Sequence, residues 1–418
     1  MGQLGSIIPF AGVLLSFAIL PGVGPRLWHR RMAAIIVGWV VLGFALQIIS
    51  TGIATATLTL WQTIFAEFLP FIVLLLALYA LGGGIAITGG PWGRPSGNFL
   101  LLVIGTILAS IMGTIGASLL LIHPLLAANG HRFEKRHLVI AFIILVGNCG
   151  GALSPLGDPP LLVGFLRGVP FFWPAVHLWL PLVVLAVPVL LLCLGLDVYF
   201  ARREAGPRPQ KLRVRGGVNI FLLIVLMVAI PVEGVWHPGN ITILFVPMPG
   251  EHLTIMMLEL ACIAVSEAVT PRAIRSQNRF AWSAMREIVI LFFAIFTTIT
   301  PVLHLLQTAD LPPNPLTWFW ASGIASAILD AAPTYLIFFE AAGGHAANLS
   351  AEPARLLTAI AAGSVFFGPV TYLGNAPNLM IREIASRRAV KMPGFFAFSG
   401  IMIIVLTPIY VLMSFLFF

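Results

Sequence analysis

Charged residues are scarce in this sequence. They make up 9% of its 418 residues, whereas soluble domains carry roughly 25%. So little charge excludes a water-soluble globular protein, and a hydrophobic content of 59% predicts a polytopic membrane protein. The net charge of +8 is then no sign of nucleic-acid binding. In a membrane protein, the placement of lysine and arginine matters more than their number.

Cysteine is also rare, and several catalytic patterns are missing. Cys149, Cys193 and Cys262 all lie in apolar runs, so no disulfide framework is expected. The glycine-rich segment Gly82–Gly90 is predicted to be a helix end and loop. It is not followed by the lysine of a nucleotide-binding loop, so ATP-driven transport is not expected. We find no cysteine–histidine metal cluster and no serine–histidine–acid set. The sequence therefore predicts neither an enzyme nor a resident cofactor.

Apolar runs of about the length of a membrane span fill most of the chain. They cover residues 7–22, 33–50, 61–81, 99–129, 138–168, 176–199, 218–232, 253–269, 287–306, 316–342, 354–381 and 395–418. Three of them, 99–129, 138–168 and 354–381, are too long for one simple helix. The run 316–342 carries Asp330 and Pro333 in its middle.

The basic residues predict an orientation. If 99–129 and 316–342 are hairpins that enter and leave on one side, 21 of the 23 lysines and arginines fall in cytoplasmic loops. Only Arg167 and Arg355 then lie outside. This arrangement predicts an N-terminal membrane repeat (1–199), a basic cytoplasmic linker (200–217) and a C-terminal membrane repeat (218–418), with both termini on the periplasmic or extracellular side.

The two predicted repeats have the same order of elements. Each has three spans, a re-entrant hairpin, a broken helix (138–168 or 354–381) and one further span, and the two repeats have opposite orientation. The sequence LGDPP at Leu156–Pro160 matches LGNAP at Leu373–Pro377. Inverted repeats with discontinuous helices are typical of secondary transporters, whose binding site lies between the repeats. The predicted fold class is thus an all-α polytopic membrane protein built from two inverted repeats.

Four interruptions form the predicted binding site: the hairpin tips at 113–118 and 330–334, and the helix breaks at 154–160 and 371–378. Non-helical chain at membrane depth survives only against protein or a water-filled cavity. The residues predicted to break the helices are Gly113, Gly116, Gly151, Pro155, Gly157, Pro159, Pro333, Gly374 and Pro377. The residues predicted to bind ions or substrate are Asp158, Asp330, Ser154, Thr371, Asn375, Asn378, Thr114 and Ser118. Acidic and neutral oxygen ligands of this kind suit a hard cation such as Na⁺.

Structural roles are the alternative for several of these residues. Asp158 and Asp330 each precede a half-helix and could cap it. Thr114 and Ser118 could bond only to backbone within the hairpin. Glu259 lies in the middle of the run 253–269, where it could pair with another helix or carry a proton.

The interruptions resemble a known family. The segments Gly113–Arg132, Gly150–Trp173, Leu329–Gly344 and Thr371–Ala385 are similar to the NhaD-type sodium/proton antiporter branch of the ion transporter superfamily, which includes citrate-transporter-like proteins. The resemblance implies two inverted repeats, a scaffold that forms a homodimer in the bacterial inner membrane, and elevator-type movement. In that branch the second hairpin usually reads Asp-Asn-Ala-Pro, and Ala331 stands where the asparagine is expected. His123 stands where the first hairpin usually carries arginine.

Two functions follow as hypotheses. The first is Na⁺/H⁺ exchange, in which a monovalent cation and a proton compete for Asp158 and Asp330, because burial favours the neutral form of a carboxyl group. The second is Na⁺-coupled transport of a small carboxylate such as citrate or a dicarboxylate, bound by half-helix N-termini. A membrane protein that transports nothing is the third class, and the sequence offers no catalytic groups to support it.

Overall fold

The structure is a computed structural model, and it describes residues 3–23, 25–202, 210–236, 238–243, 246–307, 312, 314–351 and 354–418. Helices account for nearly all of its regular structure. Eight helices in the described ranges are long and apolar enough to cross a membrane. They are Arg30–Thr51, Ile53–Gly83, Pro95–Met112, Arg136–Leu153, Trp173–Ala201, Gly250–Val269, Met285–Leu306 and Phe395–Phe417. The predicted class, an all-α polytopic membrane protein, is confirmed.

The first half contains nine α-helices and one short strand among its described residues. In chain order they are α1 (Ile8–Val23), α2 (Pro25–Thr51), α3 (Ile53–Gln62), α4 (Leu69–Gly83), β1 (Ala86–Gly90), α5 (Pro95–Met112), α6 (Thr114–Ala128), α7 (Arg136–Leu145), α8 (Pro159–Leu166) and α9 (Trp173–Ala201). A π-helical turn, Thr63–Phe68, joins α3 to α4, and a 3₁₀ turn, Cys149–Leu153, follows α7.

The second half repeats much of this order. Its elements are β2 (Gln210–Arg215), α10 (Gly217–Glu233), β3 (Asn240–Ile243), β4 (Val246–Pro249), α11 (Gly250–Val269), α12 (Arg272–Gln277), α13 (Trp282–Gln307), α14 (Pro315–Leu329), α15 (Ala331–Ala341), α16 (Ala346–Leu349), α17 (Arg355–Phe366), α18 (Ala376–Arg387) and α19 (Phe395–Phe417). A 3₁₀ turn, Gly368–Val370, follows α17.

The helices α5 and α6 fold back on each other around the single residue Gly113. Asn98, in the first turn of α5, and Asn129, at the end of α6, exchange two hydrogen bonds of 3.0 and 2.9 Å through their side-chain amides. The two ends of this helix pair therefore lie side by side. The helices α14 and α15 fold back in the same way around Asp330, and the rings of Trp318 and Phe338 pack edge to face across them.

The connections near residues 86–90 and 210–215 differ from the sequence prediction. Gly82–Gly90 was expected to be a helix end and loop, but Ala86–Gly90 forms the strand β1. It pairs with β2, which is part of the predicted linker 200–217. The hydrogen-bonding partner of β1 lies more than 100 residues away in the sequence, so the local sequence pattern does not predict the strand. Residues 203–209 of the linker lie outside the described residues.

Candidate functional site

The first hairpin tip sits on the first helix break. The Thr114 amide donates to the Gly157 carbonyl at 3.0 Å. The Ser154 hydroxyl donates to the carbonyl of Ser110, which lies 44 residues earlier near the end of α5. A Cβ atom on Gly113 would lie 3.3 Å from the Leu156 carbonyl oxygen, so the contact leaves little space. Hairpin and break thus form one unit in this half.

The second tip sits on the second break through matching contacts. The Thr371 hydroxyl donates at 2.6 Å to the carbonyl of Ala327, again 44 residues earlier. The Ser326 hydroxyl donates to the Ser364 carbonyl at 2.6 Å. Thr371 and Ala327 lie 217 positions after Ser154 and Ser110, and Asp330 lies 217 positions after Gly113. The Ser326–Ser364 bond has no counterpart, because Ala109 stands at the position that matches Ser326. The opposite orientation of the two halves in the membrane stays a prediction.

In each break, two glycines allow the backbone to pack directly against itself. A Cβ atom on Gly151 would lie 2.6 Å from the Gly157 carbonyl oxygen, and one on Gly374 would lie 2.5 Å from the Gly368 carbonyl oxygen. Only glycine allows such an approach of backbone to backbone. The first hairpin is similarly tight against α4, because a Cβ atom on Gly82 would lie 2.9 Å from the Gly116 Cα.

The two breaks meet at the centre of the molecule. The Asn375 amide nitrogen lies 3.4 Å from the Asp158 Oδ1, across a sequence separation of 217 residues. Beside this contact, the Asn148 amide donates to the Asn378 Oδ1 at 2.7 Å. Asp158 and Asn375 are 1% and 4% exposed, so the centre is closed to bulk solvent in this conformation.

Asp158 does not act as a side-chain cap. Its backbone is extended and α8 begins directly after it, but its carboxylate accepts no hydrogen bond from that helix. Pro159 and Pro160 have no N–H, and the amides of Leu161 and Leu162 donate to the Asp158 main-chain carbonyl at 3.1 and 3.2 Å. The Oδ2 atom of Asp158 is buried and has no hydrogen-bond partner among the described residues. The capping alternative therefore fails for Asp158.

Asp330 does cap its helix, and at the cost of strain. Its carboxylate accepts a hydrogen bond of 3.2 Å from the Ala332 amide. Its backbone has φ 92° and ψ 145°, a conformation that is almost confined to glycine. The helix α15, which begins directly after Asp330, packs against α8, which begins directly after Asp158. In the described part of the chain, neither carboxylate forms an ion pair.

Two of the predicted ligands are held by several hydrogen bonds within the protein. The Thr371 hydroxyl donates once and accepts from the amides of Leu373 and Gly374, which uses both of its acceptor positions. The Asn378 amide donates to the carbonyls of Gly368 and Thr371, each at 2.9 Å, and its oxygen accepts from Asn148. These side chains hold the second break in shape.

The remaining predicted residues fall into two groups. Those with free oxygen atoms near the centre are Asp158, Asp330, Asn375 and Ser154. Thr114 is buried in the contact between tip and break, where a Cβ atom on Gly151 would lie 2.9 Å from its methyl carbon. Ser118 is fully buried one turn further along α6, and its hydroxyl has no hydrogen-bond partner among the described residues. Pro155, Pro333 and Pro377 are buried in the break or first turn where each was expected.

Sequence reasoning missed two charged clusters. At the base of the first hairpin, buried Asp197 accepts from Arg132, from His137 at 3.1 Å and from Asn98 at 2.9 Å. Asp197 is an acid within the apolar run 176–199, which was a signal available in the sequence. In the second cluster, Arg167 pairs with Glu340 of α15 and, at 2.9 Å, with Glu67 of the π-helical turn.

Discontinuous helices that meet at a closed, acidic centre define the class of polytopic membrane proteins to which secondary transporters belong. A family model described as "Putative citrate transport" matches residues 2–418. The chain belongs to this family, and a transporter of citrate-transporter-like type is what the membership indicates. No curated protein matches the chain. Whether the chain falls in the NhaD-type branch stays a prediction.

Proposed function

We propose that this protein is a secondary active transporter that exchanges Na⁺ for H⁺, with Asp158 and Asp330 as the shared binding groups. One observation carries the proposal. A buried carboxylate oxygen, Oδ2 of Asp158, stands without a hydrogen-bond partner among the described residues, at the point where the two halves meet.

The charge balance of the centre favours a cation. The two carboxylates precede helices that pack on each other, α8 and α15, and no described basic side chain pairs with either carboxylate. Leaving such charges buried and unpaired is expensive, so the site is stable only when a proton or a cation neutralises it. Protons and Na⁺ would compete for the same oxygen atoms, and this competition would couple the two fluxes.

The scarcity of free donors argues against a site for an anion alone. Helix N-termini bind anions through free amide N–H groups. The helix α8 offers none in its first turn, because two positions are proline and the next two amides donate to Asp158. At the start of α15, the Ala332 amide is bonded to the Asp330 carboxylate. The oxygen atoms at the centre therefore suit a cation, which we expect Asp158, Asp330, Asn375 and Ser154 to bind.

In the proposed mechanism, the hairpins and broken helices move together as one body. Each tip is hydrogen-bonded to its own break and the breaks contact each other, and these contacts support a rigid transport unit. Elevator-type movement of this unit past a dimeric scaffold would expose the site to each side of the bilayer in turn. On one side the two acids would release Na⁺ and take up protons, and on the other side they would release the protons and take up Na⁺.

The test is proton movement in proteoliposomes that contain the full-length protein. A pH-sensitive dye inside the vesicles reports the response to Na⁺, Li⁺ or K⁺ added outside. We expect Na⁺ to drive proton movement in the wild type and not in Asp158→Asn. Glu383→Gln is the matched control, because Glu383 lies on α18 but its side chain is 63% exposed. Folded wild-type protein that moves no protons with any of the three cations would refute the proposal.

Cation-coupled transport of citrate or a dicarboxylate is the second candidate, and the family match supports it. In this case Na⁺ would neutralise the two acids, and the carboxylates of the substrate would bind near the helix starts at the tips and breaks. The test is uptake of labelled citrate or succinate with and without a Na⁺ gradient. Uptake that requires Na⁺, in vesicles where Na⁺ alone moves no protons, would favour this candidate over exchange.

A further inference from the structure

A second group of acids lies away from the centre, between α10 and α11. Glu259 is the tenth of the 20 residues of α11 and is 2% exposed. It belongs to a buried stripe of that helix with Ile255, Cys262 and Ser266, while Met257 and Leu260 are exposed on other faces. Glu259 thus faces the protein interior at mid-span, which is an expensive place for a carboxyl group and one that usually marks a function.

Glu259 has no fixed partner. Within the described ranges it forms no hydrogen bond and no ion pair. By contrast, the nearby Glu233 at the end of α10 is bonded to the His252 Nδ1. A buried carboxyl group without a counter-charge is most stable when a proton neutralises it. Loss of that proton needs an acceptor and a path, so the surroundings of Glu259 decide whether it can work as a carrier.

A cavity connects these groups. Its volume is about 10 Å³, which is space for about one water molecule. The titratable groups among its described lining residues are Glu233, His252 and Glu259; α4 and α8 contribute only apolar side chains. Cys262, one turn from Glu259 on α11, is the other titratable neighbour. The His252 side chain is 19% exposed, so one end of the series is open to its surroundings.

We propose that Glu259 is a proton-binding site separate from Asp158 and Asp330, and that His252 and Glu233 supply it through one water molecule in the cavity. The far wall of this cavity is α8, through Leu162, Phe165 and Leu166, and α8 begins at Asp158. A proton on Glu259 therefore lies beside the half-helix that carries the central acid. The inference deepens the proposed function, on which it rests, because it adds a further proton-binding group to the exchange at Asp158 and Asp330.

The transport test compares two fluxes in proteoliposomes. The first is proton movement driven by Na⁺, and the second is exchange of radioactive Na⁺ for unlabelled Na⁺ at equal pH, which needs no net proton transfer. For Glu259→Gln we expect Na⁺-driven proton movement to fall at least about 10-fold, which corresponds to ~1.4 kcal/mol. The exchange of radioactive for unlabelled Na⁺ should stay within about twofold of wild type. Glu259→Asp should keep part of the proton movement. Glu267→Gln, on an exposed position of the same helix, is the control and should change neither flux.

A labelling test on the wild-type protein does not depend on how the variants fold. A hydrophobic carbodiimide modifies protonated carboxyl groups in apolar surroundings, and mass spectrometry locates the product. We expect modification of Glu259 that declines as the pH rises. No modification at any pH, or Glu259→Gln protein with full proton coupling, would overturn the inference. So would equal loss of both fluxes in Glu259→Gln, which is the result expected for Asp158→Asn.

The two proposals fail in different ways. If wild-type vesicles move no protons, Na⁺/H⁺ exchange is wrong, and the labelling result alone then decides whether Glu259 binds a proton. If Asp158→Asn abolishes proton movement while Glu259→Gln preserves it, exchange stands and the inference about Glu259 is wrong.

Discussion

The two halves of the binding centre use the same backbone with the acid in different places. In the first half the tip residue is Gly113 and the break carries Asp158. In the second half the tip residue is Asp330 and the break carries Asn375. Gly113 and Asp330 have φ 80° and 92° with ψ near 150°, and Asp158 and Asn375 both have extended backbones directly before a helix.

The comparison separates what the fold needs from what the site needs. Gly113 forms the first tip without a carboxylate, so the turn itself does not require one. Asn375 precedes α18 in the second break, so the start of that helix does not require a carboxylate either. An aspartate at φ 92° costs of the order of 1–3 kcal/mol in strain. Each half thus carries one acid that the other half lacks, and this difference supports the proposal that the two acids serve binding rather than folding.

Asp158→Asn makes the first break a copy of the second, and we expect the largest effect from it. Na⁺-driven proton movement should fall about 100-fold or more, equivalent to ~2.8 kcal/mol, because only one of the two acids remains. The dye assay in proteoliposomes measures this loss. Size-exclusion chromatography of the purified variant should show an unchanged profile.

Moving the acid to the other break sharpens the comparison. Because Asn375 contacts Asp158 at 3.4 Å, the double variant Asp158→Asn/Asn375→Asp keeps one acid at the same contact. We expect its rate to be at least about 10-fold higher than that of Asp158→Asn. This gain corresponds to ~1.4 kcal/mol, which lies within the ~0.5–3 kcal/mol usual for coupling between residues in contact. A double variant as inactive as Asp158→Asn would show that the two breaks are not interchangeable.

The bases of the hairpins differ as well, and the next effect tests that difference. The buried ion pair of Asp197 and Arg132 holds the base of the first hairpin. Asp197→Ala should lower the free energy of unfolding by about 3–5 kcal/mol, because Arg132 is left buried without its counter-charge. In the second hairpin, the Trp320 indole donates to Ser414 at 2.9 Å. Trp320→Phe should cost only about 1 kcal/mol. Thermal unfolding in detergent measures both, and equal losses would contradict the distinction.

Strain at the tips predicts opposite responses to small residues. Gly113→Ala should destabilise the protein by about 1–3 kcal/mol, because alanine tolerates this conformation poorly. At the second tip, Asp330→Gly should unfold at a higher temperature than Asp330→Ala, since only glycine removes the strain. Both Asp330 variants should lose Na⁺-driven proton movement. If the two variants unfold at the same temperature, Asp330 is not strained.

Packing behind the tips gives the smallest effect. A Cβ atom on Gly105 would lie 2.6 Å from the Val146 side chain. At the matching positions of the second half, Ser322 stands in place of the glycine and Gly363 in place of the valine, and the two face each other. Gly363→Ala should cost about 1–3 kcal/mol through overpacking. Adding Ser322→Gly, which copies Gly105, removes the contact with the Ser322 hydroxyl but leaves the Phe319 carbonyl oxygen 2.5 Å from the new Cβ atom. It should therefore return only part of this loss, about 1 kcal/mol. The added substitution should give no such gain in a wild-type background.

Much of this centre could be predicted from the sequence, because its signals are local. Glycine, proline and aspartate inside apolar runs mark the tips and breaks, and α6, α8, α15 and α18 all begin at or next to these residues. The contacts between halves could not be predicted. Asn148 lies 230 residues from Asn378. Nothing in either segment shows that the Asn378 amide and the Thr371 hydroxyl form hydrogen bonds within their own half.

The buried charges depend on tertiary packing in the same way. The sequence shows that Glu259 is in the middle of an apolar run and that Asp197 is in another. It does not show that a cavity joins Glu259 to Glu233 and His252, or that Arg132 and His137 both reach Asp197. Such pairings depend on how distant helices pack, which hydrophobic periodicity does not encode.

The chain between tip and break has the same length in both halves, since Ser154 and Thr371 each donate to a carbonyl 44 residues earlier. One residue of an α-helix corresponds to a rotation of about 100° and a rise of about 1.5 Å. A single deletion in α7 would turn everything after it by that angle and carry the Asp158 carboxylate away from Asn375, while an equal deletion in α17 would carry Asn375 away from Asp158. Natural variation in length should therefore collect in the connections outside these segments, and substitution should be the only change that the centre tolerates.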